Sequence, residues 1–599
     1  MKFTVRPLRL FAAAALIGFV ILLTGESDDP IIWRYSARYV AVLAGYGAAV
    51  TGGVFILSRR LPTLPAGVWW LIGTTLAGIA AWLPLLDHTP YLNLTLKLVL
   101  ITFGLALIKA ANPRFTHWRA ATLLYLTLIL TTSALTLTAY PLMHISDEGW
   151  TANVGQTFVA EGVVHSRIHQ GIFGVPQRFV PLGNILPGYW FEAAGSDLFQ
   201  ARLISFFGGL LLLAMTFTTA RQMGLGGSGA LLSVCVLAGS YPFLLTSHFF
   251  RLDVYLALVG MTALYCYGRS HRQHIWAFVA GLLLALGVEL HQNALVLCAA
   301  AGGLMTFGVI VRSIRLRHLS LKPQEIYFVI GGVCGASLFL ALHVLSDPDL
   351  FMRQFRNGGS WRVELTSTSP GGIFRVLVEM VSKFWQASPL GLIVCGASLI
   401  SAYFNPKARL GLTLSALILL ALNFLLPSYL EYYAILIMPL LAVLVGMELK
   451  RHFGDNDVLS LVVCAAMAFP LLLTALQHRH EAVNARLLTA FEKVSTVFKE
   501  DARIAAPQIF VFAMPHNPNL IALFMPRYAQ WTRQPFSGVE VWQKFQPEAF
   551  IVYGIYGGEE DPAAENYRQT HGFQEVMRIN DLPQPLIVYA LPTALKGLQ

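Results

Sequence analysis

The chain has 599 residues, 56% of them apolar and only 12% charged, with a formal net charge of +10. A soluble domain carries about a quarter charged residues, so this composition excludes a free cytosolic enzyme, a disordered chain and a disulfide scaffold, and it indicates a polytopic membrane protein. The basic surplus suits either nucleic-acid binding or membrane orientation, and the position of the charges decides between them.

Apolar runs of about 17 to 25 residues mark about fifteen expected spans. They lie near 10–24, 38–57, 66–86, 92–108, 120–141, 203–220, 229–246, 254–268, 275–290, 293–311, 325–346, 385–404, 409–427, 434–449 and 457–476. Only His291, Gln292 and Asn293 separate the tenth run from the ninth. With a cytoplasmic N-terminus, nineteen Lys and Arg residues fall in inner segments, whereas the short outer loops hold only Arg34, Arg38 and Arg251. This positive-inside bias assigns most of the basic surplus to topology and leaves no nucleic-acid partner to expect. The first run follows Lys2, Arg6 and Arg9 but has no small-x-small cleavage site before Glu26, so it reads as a retained anchor.

Three segments are too long for turns, 142–202, 347–384 and 477–599, and the span count puts all three on the extracytoplasmic side. Residues 1–476 therefore read as a transmembrane domain and 477–599 as a soluble extracytoplasmic domain. Within the latter, 481–499 has helical spacing with Leu487, Leu488, Phe491, Val494 and Val497 on one stripe. The runs at 509–514, 550–555 and 586–591 read as strands, giving a small α/β domain. It has neither a Gly-rich phosphate loop nor metal-ligand spacing, which favours a cap or an acceptor-docking role. All six cysteines fall inside expected spans and read as small core residues.

The first long outer segment opens with Ser146, Asp147, Glu148, Gly149 and Trp150 directly after a span. Two carboxylates at a membrane boundary are solvated, paired or functional. Here they can start a helix, with Ser146 or Asp147 as N-cap, or accept a proton from a hydroxyl. Arg178, Arg202 and Arg251 are cations suited to a phosphate, or else to headgroup contact and salt bridges. Asp253 follows in HFFRLD, while Glu289 and His291 stand near the outer end of another span. Tyr432 and Tyr433 occupy a short outer turn, where they belong to the interfacial aromatic belt or bind a sugar or phosphate.

Together these positions resemble the GT-C glycosyltransferases of family 39, the group containing protein O-mannosyltransferases and the aminoarabinose transferase of lipid A. The resemblance rests on DEGW after a span, then the stretch from VPLGNILPGYW to AGSDLFQARLISFFGG, then HFFRLD, GVELHQNALV and SYLEYYAILIMPLLA. It covers about residues 140–450, so the expected architecture is a GT-C-like helical core over 141–450 preceded by extra N-terminal helices over 1–140. Where the aminoarabinose branch has a second acidic residue, this chain reads GVPQRFVPLG, with Gln177 and Arg178 and no carboxylate.

The resemblance implies inverting transfer from a polyprenyl-phosphate sugar to a hydroxyl of a protein, lipid or glycan acceptor at the outer face of the plasma membrane. Asp147 would be the general base, and Arg178, Arg251 or Arg202 would hold the lipid phosphate. Glu148, Asp253, His291, Glu289, Tyr432 and Tyr433 would line the sugar or acceptor site. No cofactor is required, and dependence on a divalent cation is left open. The alternative is a transporter or flippase of a lipid-linked sugar, which should carry mid-membrane ionisable groups and broken-helix repeats.

Overall fold

A computed structural model of the chain describes residues 147–355, 370–425, 431–453 and 483–596, apart from 174, 178–180, 516, 533 and 554–561, together with scattered positions at 126–138 and 463–471. The first five expected spans and the last lie wholly or mostly outside the described residues.

Two short helices follow the Asp-Glu pair, α1 (Asp147–Glu161) and α2 (Pro181–Ala194), packed against each other. The long apolar helix α3 (Leu198–Gln222) then starts at Asp197, whose carboxylate accepts from the Gln200 amide at 2.8 Å and satisfies one orphan donor of the first turn. The expected span 229–246 is two helices, α4 (Gly227–Ala238) and α5 (Tyr241–His248), bent by 61°. Gly239 and Ser240 interrupt the ladder there, and Pro242 cannot donate to it.

The bundle continues with α6 (Asp253–Arg269), α7 (Ile275–Leu286), α8 (Ala294–Leu316) and α9 (Pro323–Phe339), the last running on into a π-helical segment over Leu340–Val344. Among the described residues α3, α8 and the combined Pro323–Val344 helix are each long and apolar enough to cross a membrane, and the bent pair makes a fourth. Helices α7 and α9 touch through glycines. A Cβ on Gly281 would stand 2.0 Å from the Phe328 carbonyl oxygen, and one on Gly331 2.0 Å from that of Phe278. Apolar helices gain no hydrophobic driving force from one another in lipid, so backbone contact of this kind is what holds such a pair together.

Beyond 369 come α10 (Pro370–Ala387), α11 (Pro389–Tyr403), α12 (Arg409–Leu425) and α13 (Met438–Phe453). Helix α10 falls mostly within 347–384, a stretch expected to be an outer loop. Its apolar positions are interleaved with Arg375, Glu379 and Lys383, a pattern that does not read as a span, and Pro389 starts a fresh helix where one span over 385–404 was expected.

The C-terminal unit begins with α14 (Val483–Ser495), inside the expected helical run. Its sheet contains β1 (Ile504–Ala506), β2 (Leu520–Ala522), β3 (Ala549–Tyr553), β4 (Gln574–Ile579) and β5 (Leu586–Ala590), in the order β2-β1-β3-β5-β4. Strands β1, β2 and β3 run parallel, whereas β5 is antiparallel to both β3 and β4. Every residue of β3 is buried, as its unbroken apolar run requires of a strand covered on both faces. The helices α15 (Met525–Trp531), α16 (Val539–Phe545) and α17 (Pro562–Thr570) complete the unit.

The first of the expected strands, 509–514, is instead a 3-10 turn over Gln508–Phe512. Its apolar residues are buried, but Pro507 ends β1 just before them, and a short apolar run does not by itself distinguish strand from buried turn.

Among the described residues two large hydrophobic cores result. One lies among α3 to α13. The other joins Ala152 of α1, Phe191 of α2, Ala201 and Ile204 of α3, and Phe250 to the whole C-terminal sheet, so the α/β unit shares its core with these helices instead of standing apart.

Candidate active site

Asp147 is the first residue of α1, where a carboxylate is favoured by the unpaired amides and the helix dipole. Its side chain remains 26% accessible and forms an ion pair with Arg251, the guanidinium Nη1 donating to Oδ2. Arg251 also donates from Nε to Asp253 Oδ2 at 2.7 Å, and Asp253 is fully buried at the start of α6. Ser205 of α3 fixes the backbone of Arg251, accepting from its amide at 3.0 Å and donating to its carbonyl at 2.8 Å. The Tyr432 ring closes the arrangement, with the guanidinium carbon 3.5 Å from its centroid and Tyr433 edge-on behind it. Four segments far apart in the sequence thus meet on one arginine. Burial raises the Asp147 pKa above the ordinary carboxylate range, and the Arg251 charge opposes that rise.

Glu148 and Arg202 are spent differently. Both are fully buried, and they form a bidentate pair, Nε to Oε1 at 2.9 Å and Nη2 to Oε2 at 2.8 Å. Arg202 Nη1 donates to the Leu137 carbonyl at 2.9 Å, and the Phe250 amide donates to Glu148 Oε1 at 2.8 Å. The pair ties α1 to α3 and to the turn that carries Arg251. Neither side chain reaches solvent, so the expectation of a catalytic Glu148 and a phosphate-binding Arg202 does not fit their burial.

The remaining expected residues divide. Arg178 lies outside the described residues. Glu289 is buried and accepts or shares a proton with His343 Nε2 at 2.8 Å, a residue of the π-helical segment that no sequence pattern had pointed to. His291 Nδ1 accepts from the Asn293 amide at 3.1 Å at the head of α8. This turn adjoins the Arg251 turn through Gly183. A Cβ there would meet the Leu290 carbonyl oxygen at 2.4 Å and Leu252 Cδ1 at 2.8 Å, so only glycine allows the approach.

The C-terminal unit contributes to the same place. Gly149 lies against the Gln508 backbone, and Trp150 contacts the rings of His169, Phe173 and Tyr528 at centroid distances of 4.7, 4.9 and 5.9 Å. The Gln508 amide nitrogen donates to the Tyr528 hydroxyl and, at 3.2 Å, to His169 Nε2. His169 must then carry its proton on Nδ1, which donates to Ser166 Oγ at 2.6 Å, and Ser166 in turn donates to Asn153 Oδ1 at 3.1 Å. Burial pushes the His169 pKa down to about 3, so this chain of hydrogen bonds runs through a neutral ring. Burial raises the Tyr528 phenol and the nearby Asp147 charge raises it further, which keeps it protonated. None of His169, Gln508 and Tyr528 stands in a local motif, because contacts across more than 300 residues leave no trace in sequence spacing.

Among the described residues no group of three or more His, Cys, Asp or Glu could hold a metal ion. Asp147 and Asp253 are bridged by the Arg251 guanidinium, so the place between the two carboxylates already holds a cation.

Residues 180–343 match the family described as dolichyl-phosphate-mannose-protein mannosyltransferase, a segment running from α2 to the π-helical segment. A search of curated proteins by sequence finds no significant match. Among solved structures, ArnT from Cupriavidus metallidurans bound to undecaprenyl phosphate superposes with a TM-score of 0.57 at 16% identity, over 80% of this chain and 98% of that one. Its apo state gives 0.54 at 14% identity, over 79% and 98%. The fold is that of a GT-C glycosyltransferase. A GT-C fold is what the DEGW, HFFRLD and SYLEYY motifs implied, and it accounts for a bundle of apolar helices with its ionisable residues gathered near the helix ends. The ion-paired Asp147 stands at the start of the first described helix, ahead of the segment that matches the mannosyltransferase family.

Proposed function

We propose that this protein transfers a sugar from a polyprenyl-phosphate donor to an acceptor hydroxyl at the extracytoplasmic face, with inversion, and that Asp147 is the general base. The observation that carries this reading is the partly exposed Asp147 paired with Arg251. A carboxylate whose pKa is raised by burial is a better base than an exposed one, and it still reaches solvent, from which a hydroxyl can approach.

The acceptor oxygen attacks the anomeric carbon while its proton passes to Asp147. The bond from that carbon to the phosphate oxygen breaks on the opposite face, and polyprenyl phosphate leaves. Arg251 is the group proposed to hold the phosphate. Its Nε and Nη1 are committed to Asp253 and Asp147, but nothing among the described residues accepts from Nη2, so part of the fork is open to an anion. Tyr432 and Asp253 keep the guanidinium in place. Glu148 and Arg202 act at one remove as a buried strut that fixes the α1 start relative to the Arg251 turn. Among the described residues the site carboxylates do not compose a divalent-cation site.

The purified full chain in nanodiscs, supplied with polyprenyl-phosphate hexoses and pentoses and an envelope fraction as acceptor, tests the reading. The expected result is release of polyprenyl phosphate and a product of inverted anomeric configuration. Retained configuration, or movement of the lipid-linked sugar without its consumption, contradicts it.

A further inference from the structure

We infer that the turn joining α8 to α9 is a binding site for an anionic phospholipid, with Arg315, Arg317 and Lys322 on the headgroup and Leu316, Leu319 and Leu321 against the acyl chains. The turn stands at the opposite end of α8 from the His291 turn, which adjoins the Arg251 turn through Gly183. At a rise of 1.5 Å per residue the 23 residues of α8 separate the two ends by about 34 Å. The phosphate proposed for Arg251 and this lipid therefore occupy separate places, and the site does not depend on the chemistry at Asp147.

The turn connects two helices that are each long and apolar enough to cross a membrane, Ala294–Leu316 and Pro323–Val344. Residues 317–322 are all that lie between them, too few to leave the membrane boundary, so the turn sits at the level of the lipid headgroups.

Between Arg312 and Lys322 the chain has four cations and no acid. The carboxylate that follows, Glu325, is spent inside the hairpin: it pairs with Arg312, and its Oε2 accepts from the Lys322 amide at 2.9 Å. Arg312 also donates to the Ser320 carbonyl at 3.4 Å, and Ser313 Oγ accepts from the Ser320 amide at 3.0 Å. One cation thus closes the turn and fixes its shape. The other three, Arg315, Arg317 and Lys322, are exposed and have no ion pair among the described residues.

Leu316, Leu319 and Leu321 alternate with these cations and are 50, 71 and 49% exposed. Leucines are costly to leave in water, but at a bilayer boundary they reach the acyl chains while Arg and Lys stay at the phosphates. The positive-inside bias accounts for cations at this end of the spans, yet it asks for neither exposed leucines nor a turn closed by its own hydrogen bonds. The planar fork of arginine suits a phosphate, and basic sites between membrane helices favour lipids whose charge no headgroup ammonium offsets.

Native mass spectrometry of the full chain in detergent, titrated with cardiolipin or with phosphatidylcholine, tests the site. Arg315→Gln, Arg317→Gln and Lys322→Gln are compared with Arg221→Gln, which removes an exposed cation at the end of α3. The wild-type chain is expected to bind cardiolipin in preference to phosphatidylcholine. Each turn variant should lose about fivefold in cardiolipin affinity, the effect of one cation near an anionic lipid surface, while Arg221→Gln stays within about twofold of wild type. Equal binding of the two lipids by the wild type overturns the assignment, and so does an unchanged affinity in the turn variants. An equal loss in Arg221→Gln also overturns it, because binding would then follow overall charge and not this turn. Glycerol phosphate carries the anion without acyl chains and should leave bound cardiolipin in place; displacement at matched concentration would make this a soluble-anion site and contradict the lipid assignment.

Discussion

Gly149 and Gln508 meet backbone to side-chain position, with room for a hydrogen and no more: a Cβ on Gly149 would stand 2.4 Å from the Gln508 carbonyl oxygen and 2.8 Å from the Ile509 amide nitrogen. The obstruction is main chain, which cannot swing aside as a long side chain can. Gly149→Ala should therefore separate the α/β unit from α1 and cost about 1–3 kcal/mol, the range of overpacking substitutions. Thermal unfolding of the purified chain checks this, and transfer activity should fall with it because α1, which carries Asp147, shifts against the α/β unit.

The buried Glu148–Arg202 pair gives a second expectation. Removing one partner leaves an uncompensated charge in a dry interior, at a cost of about 3–5 kcal/mol. Arg202→Ala should accordingly prevent recovery of folded protein. Arg202→Lys preserves the charge but not the two-pronged geometry, so it should fold with a lowered Tm. Denaturation in detergent distinguishes the two variants from surface substitutions, which change little.

Arg251 should set the pH dependence. Activity requires ionised Asp147, so the rate falls as the pH drops through the Asp147 pKa, and this acid limb should lie above the ordinary carboxylate range because burial raises that pKa. Arg251 opposes the rise, so Arg251→Met must move the limb to higher pH, besides weakening carrier binding. A pH profile of kcat/KM for both proteins measures the displacement, and a limb moving to lower pH would contradict the geometry.

Tyr432 offers a way to separate ring from hydroxyl. The Arg251 guanidinium lies over the ring at 3.5 Å, a cation–π contact worth up to about 2 kcal/mol when desolvated. Tyr432→Phe should keep undecaprenyl phosphate affinity within about twofold, whereas Tyr432→Ala should lower it by about tenfold or more. Loss of affinity in the Phe variant would instead favour a hydroxyl contact with sugar or phosphate.

The sequence was most informative where chemistry is local. DEGW, HFFRLD and the Tyr-Tyr turn each contain a residue of the Arg251 cluster, because helix starts at membrane boundaries concentrate the few charges an apolar chain carries. It did not reveal how those charges are shared. Glu148 and Asp147 are adjacent, yet one faces Arg202 in the interior and the other keeps access to solvent, a division made by successive residues of a helix pointing about 100° apart. The α/β unit read as separable because its composition changes, but composition does not record that Gln508 and Tyr528 pack onto Trp150 and His169. Apolar runs alone also misplaced the 3-10 turn at Gln508–Phe512 and concealed α10, whose mixed polarity suits an interfacial helix better than a span.

The central claim is that Asp147 removes the acceptor proton, and the direct test compares Asp147→Asn with wild type in two assays on the same nanodisc preparation. Transfer from a polyprenyl-phosphate sugar should fall by about 10²- to 10⁴-fold, the usual contribution of a positioned base, while undecaprenyl phosphate still binds. Transfer at near wild-type rate in Asp147→Asn would contradict the account.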